Sequence, residues 1–302
     1  MNATKSSTIL SARSISPTTP LLDFRGLLLE ALNDRWRTFR AELKRCQKKY
    51  SEAAVHDLRV ATRRLIATLD LVVSVDPQAD LRKARRALKR QLGMFGPLRD
   101  VQVQSVSIDK MLAKFPKLQS YYDSLMSRER KLVQRLGADI KRVKSGKLEK
   151  AIRTAVKRLD VLLDTPERQQ EKRAEAIRAV EAAFNRVVER KQAVDPTDSA
   201  TIHRMRVAFK KFRYMIESLA PMLDRGTSKR LKAMNAFQGD MGDIQDAEVL
   251  LTGVVSFARK RGAASEASLA AALQELSDRR AALIEAFLGS ADTVYTFWKP
   301  MA

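Results

Sequence analysis

The sequence predicts an all-α protein: two four-helix bundles related by an internal pseudo-twofold axis, with a basic central cleft between them. Three observations predict this. Nearly everything after Pro20 carries helical periodicity, with no convincing run of alternating strand residues. A cationic motif opened by histidine occurs twice, and the helix breakers that follow its two copies recur in the same order. Segments of this length with short connections favour antiparallel bundles, and two homologous bundles pair most simply about a twofold axis.

Taken in order, residues 1–19 are rich in Ser and Thr and read as a flexible tail. Leu21 to about Tyr50 is one long amphipathic segment. Ser51 is a candidate cap for the first motif helix, which should run to about Val75 before Asp76-Pro77 breaks it. Ala79 to about Phe95 is a third helix, and Arg82, Lys83, Arg85, Arg86, Lys89 and Arg90 make it dense in positive charge. Gly96-Pro97 interrupts, a helix resumes near Leu98 and ends before Pro116, and another runs from Lys117 to about Val143 until Ser145-Gly146 bends it. Between Arg128 and Arg158 there are 12 basic residues and 3 acids, a local net of +9.

The second half repeats this order. A helix from about Glu167 to Lys191 precedes a break at Asp195-Pro196, and Thr197 or Asp198 is placed to cap the second motif helix, which nears its end at Pro221. Ser228 to about Phe237 corresponds to the basic third helix. Gly242 to Asp246 then aligns with Gly96 to Asp100 at an offset of 246 − 100 = 146, and helices of about 245–261 and 265–288 complete the set. The halves are taken as 20–165 and 166–302, together forming one domain.

The motif itself reads His56-Asp57-Leu58-Arg59-Val60-Ala61-Thr62-Arg63-Arg64 and, at an offset of 203 − 56 = 147, His203-Arg204-Met205-Arg206-Val207-Ala208-Phe209-Lys210-Lys211. The chain has 2 histidines and each opens one copy. At about 100° per residue, His203, Arg206, Lys210 and Arg213 share one face, while Met205, Phe209, Phe212, Ile216 and Leu219 share the opposite one. His56, Arg59 and Arg63 likewise oppose Leu58, Leu65, Leu69 and Val72. Each motif is a cationic stripe backed by a core-facing stripe. Duplication then suggests that the two stripes face one another.

Composition narrows the partner. The 302 residues include 57 Lys+Arg against 35 Asp+Glu, a formal net charge of +22, so a polyanion is the expected ligand: nucleic acid, an anionic membrane surface or a phosphate polymer. One cysteine, Cys46, excludes an intramolecular disulfide and a cysteine-rich zinc site, and fits a reducing cytoplasm. No apolar run approaches the roughly 18 residues of a membrane span.

A phosphate chain needs several charge-assisted donors in a row, and side chains three or four apart on a helix lie about 5–6 Å apart at Cβ. A stripe of His, Arg and Lys can therefore touch successive phosphates. The bland alternative is a solvated helix face, and Glu217 is within reach of Arg206 or Lys210, as Asp70 is of Arg59 or Arg63. The histidines lack the second His or Cys that a metal would need; a carbonyl-bonded core histidine and a phosphate donor remain, and the second is the better reading, its protonated form being favoured by the bound anion. Catalysis finds no P-loop, no Ser-His-Asp set and no acid cluster for two metals. Asp100 and Asp246, each following a glycine, read as caps or as partners of basic neighbours.

The duplicated His-x-x-Arg-Val pattern with trailing basic pairs, together with the recurring Gly-x-x-x-Asp element, resembles the CHAD domain, the conserved histidine α-helical domain, over about residues 20–290. The resemblance implies two four-helix bundles in twofold arrangement around a basic channel that binds inorganic polyphosphate, without cofactor or catalysis, and in some members an association with polyphosphate granules. It assigns ligand contacts to His56, Arg59, Arg63 and Arg64, and to His203, Arg206, Lys210, Lys211 and Arg213, with third-helix additions Arg82, Arg86 and Lys89 and, in the second half, Lys229 and Lys232. Nothing in the chain resembles the CYTH triphosphatase domain to which some members are fused. The copies are unequal: Ile66 stands against Arg213, Gln245 against Arg99, and Asn235-Ala236 against Lys89-Arg90. An RNA- or DNA-binding helical protein is the alternative reading, although it lacks a recognition motif and an aromatic platform for stacking bases.

Overall fold

A computed structural model describes residues 23–141, 145–224 and 226–299; the Ser/Thr-rich tail expected over 1–19 lies outside them. The described residues are helical, joined by turns, with no strand among them. Helix α1 (Phe24–Lys48) starts where the Asp23 carboxylate accepts from the Gly26 amide at 2.8 Å. Ser51 caps α2 (Glu52–Val75), which carries the first motif and stops before Pro77. Helices α3 (Arg82–Met94) and α4 (Gly96–Asp109) meet at Phe95, since Pro97 has no amide hydrogen to continue the ladder. Helices α5 (Gln119–Lys141) and α6 (Gly146–Leu162) follow.

Thr165 caps α7 (Pro166–Gln192), and Asp198 caps α8 (Ser199–Leu219), the second motif helix. Next comes a departure from expectation. The third helix of the second half does not end near Phe237: α9 (Thr227–Arg261) runs unbroken for 35 residues through Gly242. Asp243 stands where the first half has Pro97, so its amide can keep the ladder, and an isolated glycine costs a helix only about 1 kcal/mol. The helix ends instead at Gly262, whose φ of 90° suits a residue without Cβ, and α10 (Ala263–Ser290) turns back along it.

The apolar stripes read from the motifs are core. Leu58, Leu65, Leu69 and Val72 on α2, and Met205, Phe209, Phe212, Ile216 and Leu219 on α8, are all buried. Phe209 contacts Phe212, Phe237 and Phe297 with ring centroids 6.2, 5.1 and 5.7 Å away, the separations of offset and edge packing. One buried cluster takes residues from α1, α2, α3, α6, α7, α8 and the first part of α9, with Leu98 of α4, Leu136 of α5 and Ile284 and Phe287 of α10; a second takes them from α4, α5, the latter part of α9 and α10. Each cluster therefore draws on both sequence halves.

The motif helices pack on each other. α2 contacts α8, and the contacts of α1 with α8 and of α2 with α7 are reciprocal. At the crossing, Thr68 and Ser218 share a buried hydroxyl hydrogen bond of 2.9 Å, residues small enough to let the two backbones approach.

Candidate functional site

Above that crossing the cationic faces of α2 and α8 converge. Lys210 has Arg206 beside it on α8 and Arg63 and Arg59 facing it from α2; His56 faces Lys210, Arg63 and Arg59; His203 faces Arg206, Lys210 and Arg63. Six residues of the two motif copies thus lie in one electrostatic cluster. Arg59, Arg63, Arg206 and Lys210 are half-buried, while the histidines sit at the exposed edge.

Burial and mutual repulsion govern their titration. Desolvation pushes Lys210 down to about 6, with further lowering by Arg206, Arg63 and Arg59 and only Asp246 opposing. Burial brings Arg59 to about 10, with Arg63 and Arg206 adding to it and Asp100 opposing. Arg63 and Arg206 are lowered chiefly by burial. Both histidines are lowered for the same first reason, although Asp57 opposes at His56 and a hydrogen bond with Gln245 opposes at His203.

Direct counter-ions are missing from this cluster. Among the described residues none of Arg59, Arg63, Arg206 and Lys210 forms an ion pair, and Arg206 Nε is buried without a hydrogen-bond partner. Arg59 Nη1 donates to the Leu92 carbonyl at 2.8 Å, near the C-terminus of α3, where the helix dipole is negative. Desolvated cations left unpaired are costly, by several kcal/mol per ion. An arrangement of this kind is suited to an anion that bridges the two helices.

Both histidine motifs therefore serve one locus, and the family model described as the CHAD domain matches residues 29–255. The chain belongs to the CHAD family. The crystal structure of the CHAD domain from the plant Ricinus communis is similar in fold, with a TM-score of 0.55 at 17% identity over 91% of this chain and 90% of that one. No curated protein matches the chain. The CHAD domain is a binding-type rather than a catalytic domain, and the family is associated with polyphosphate.

Other basic residues of this CHAD chain, expected from the resemblance to touch ligand, lie in different surroundings. Arg64 Nε donates to Glu217 at 2.8 Å, and Arg213 Nη1 meets the same carboxylate at 2.9 Å while its Nε donates to Gln238 at 3.0 Å. Arg213 is 6% exposed. Lys211 pairs with Asp70 at 3.0 Å, and Arg85 of α3 meets that carboxylate from another side. Glu217 and Asp70 do engage the stripes, as the spacing suggested, but through Arg64, Arg213 and Lys211 rather than through Arg206, Lys210, Arg59 or Arg63. Arg82, Arg86 and Lys89 on α3 and Lys229 and Lys232 on α9 are exposed; Arg82 has Asp80 at 3.6 Å.

Of the two roles the sequence left open for the recurring acids, the structure favours partnership with basic neighbours. Asp100 and Asp246 cap nothing: α4 starts at Gly96 without a side-chain cap, and Asp246 lies deep within α9. Asp100 faces Arg59, Arg128, Arg99 and His203; Asp246 faces Arg206, Arg99 and Lys210. Their signal was the recurrence of Gly-x-x-x-Asp itself. The glycine of the second copy is needed for approach, since a Cβ on Gly242 would meet Arg206 Nη2 at 3.1 Å. Gly242→Ala should therefore weaken anion binding several-fold by shifting that guanidinium, while the melting temperature stays level or rises through better helix propensity. Titration and thermal unfolding of this variant check the two effects separately.

Among the described residues no group of three or more His, Cys, Asp and Glu could hold a metal ion, and no helix is long and apolar enough to cross a membrane.

Proposed function

We propose that this protein binds inorganic polyphosphate without catalysis, in a basic cleft where α2 and α8 face each other, and that its association with polyphosphate granules in the cytoplasm follows from this binding. The observation that carries the reading is the four half-buried cations Arg59, Arg63, Arg206 and Lys210, contributed equally by the two motifs and lacking direct counter-ions. His56 and His203 add donors at the edge. In this reading the halves 20–165 and 166–302 are related by a pseudo-twofold axis, α1, α2, α3 with α4, and α5 matching α7, α8, α9 and α10, with α6 as an addition. The reciprocal contacts of α1 with α8 and α2 with α7 support it. Arg64, Lys211 and Arg213 act in the fold, and the exposed cations of α3 and α9 extend a positive field that steers the ligand inward.

Nucleic acid is the competitor to test. Phe209, Phe212 and Tyr214, the aromatic residues of the second motif helix, are all buried and offer no stacking surface. Calorimetric titration with long-chain polyphosphate and with single-stranded RNA at matched phosphate concentration should give tighter binding of polyphosphate, which displaces RNA at much lower concentration than the reverse. Equal or tighter RNA binding would overturn the assignment.

Proton linkage gives a second check. The ligand-free cluster holds Lys210, His56 and His203 below their ordinary values, and a bound anion raises them, so binding takes up protons. The affinity is then greatest at low pH and falls as pH rises above the ligand-free Lys210 value of about 6. We expect a loss of about tenfold between pH 6 and pH 8, and a shallower loss in Lys210→Arg, whose guanidinium stays charged. An affinity independent of pH over that range would count against Lys210 as a contact.

A further inference from the structure

A site built for a polyanion has no evident use for carboxylates, yet two face the cation cluster. Asp100 on α4 and Asp246 on α9 occupy equivalent positions of the two repeats, on helices that touch each other. Between them they address Arg59, Arg206, Lys210 and His203, and both face Arg99. Their contrast with Glu217 and Asp70 is informative. Those two acids are held in direct ion pairs with arginine or lysine, whereas among the described residues the side chains of Asp100 and Asp246 form no ion pair and no hydrogen bond. They stand back from the cations, Asp100 exposed and Asp246 half-buried, without neutralising any one of them.

We propose that Asp100 and Asp246 are internal counter-ions that compete with the incoming ligand and so set the charge density an anion must carry to occupy the cleft. This rests on the polyphosphate reading and specifies its selectivity. In the ligand-free protein the two carboxylates temper the repulsion among half-buried Arg59, Arg206 and Lys210. A bound phosphate oxygen gains the cations but meets the two acids, and like charges brought together across a desolvated site disfavour binding. A polyphosphate chain, with a charge on every closely spaced phosphate, engages enough cations at once to outweigh that repulsion. Orthophosphate engages few, and a nucleic acid spaces its charges by a sugar between phosphates. The acids thereby weaken every anion but weaken sparse ones most in proportion. Burial itself disfavours the charged form of both carboxyls, so the competition eases at low pH, in the same sense as the protonation of Lys210.

The test is the full chain carrying Asp100→Asn and Asp246→Asn, singly and together, in two measurements. Titration with polyphosphate should show affinity rising by about tenfold in the double variant, and affinity for single-stranded RNA rising by a larger factor, so that the preference narrows. Unchanged or weakened polyphosphate affinity in the variants would overturn the proposal and make the acids bystanders or holders of cation geometry. Thermal unfolding without ligand at low ionic strength should show a lower melting temperature in the double variant, restored by added pyrophosphate. A melting temperature equal to the wild type would overturn the counter-ion role, whatever polyphosphate does. A wild-type protein that binds no polyphosphate would overturn the function proposed above, and the unfolding measurement would still decide whether the acids balance the cluster.

Discussion

Replacing Arg206 and Lys210 together by Ala should weaken polyphosphate binding by about 100-fold or more while leaving the fold at least as stable as before. The reasoning for binding is that truncating a desolvated charge which meets an opposite charge in a complex costs about 2–5 kcal/mol, and both residues lie at the centre of the cluster rather than at its rim. Stability moves the other way because neither side chain has an ion-pair partner to lose among the described residues, and Lys210 suffers both burial and three neighbouring arginines. The dependence of log affinity on log salt should become shallower by roughly two, one for each phosphate contact removed. Calorimetry at three salt concentrations with parallel thermal unfolding reads all of these. Retained affinity in the double variant would remove the motif helices from the binding site.

Glu217→Gln should act in the opposite way, on the fold rather than on the ligand. The Glu217 carboxylate has a side-chain exposure of 11% and gathers Arg64 at 2.8 Å and Arg213 at 2.9 Å, with Arg35 of α1 at 3.7 Å. It thus ties α1 and α2 to α8 beside the Thr68–Ser218 bond. Removing its charge leaves the guanidinium of Arg213 buried and uncompensated. Breaking a buried pair on one side costs about 3–5 kcal/mol; since Arg64 remains about a third exposed, we place the expected loss near 3 kcal/mol. Chemical denaturation measures it, with Glu149→Gln as a control, because Glu149 pairs with an exposed Arg153 and such pairs contribute about 0–1 kcal/mol. A loss at Glu217 no larger than the control would show that the gathered arginines do not hold the helices together.

The two variants divide a stripe that looks uniform on a helical wheel. Arg59, Arg63, Arg206 and Lys210 are half-buried without an acid in direct contact among the described residues; Arg64, Arg213 and Lys211, next to them in the chain, lie within reach of Glu217 or Asp70. Whether a given cation in such a protein serves a ligand or the core depends on a rotation of one residue about its helix and on what the neighbouring helix places there.

The sequence by itself determined the helices apart from the break expected near Gly242, the cap at Ser51 and a second at Thr197 or Asp198, their stops before Pro77 and Pro196, the buried stripes from Leu58 to Val72 and from Met205 to Leu219, and the six cluster residues of the motif. These are local matters: a cap bonds within its own first turn, proline acts on its own ladder, and a stripe follows from residue spacing. The tertiary structure decided the rest. It joins Arg64 to Glu217 across 153 residues and Thr68 to Ser218 across 150, and for Asp100 and Asp246 it decides between cap and partner of basic neighbours in favour of the second. Counter-ion choice and desolvation depend on which helix faces which and at what rotation, and neither quantity is written in the spacing of one segment.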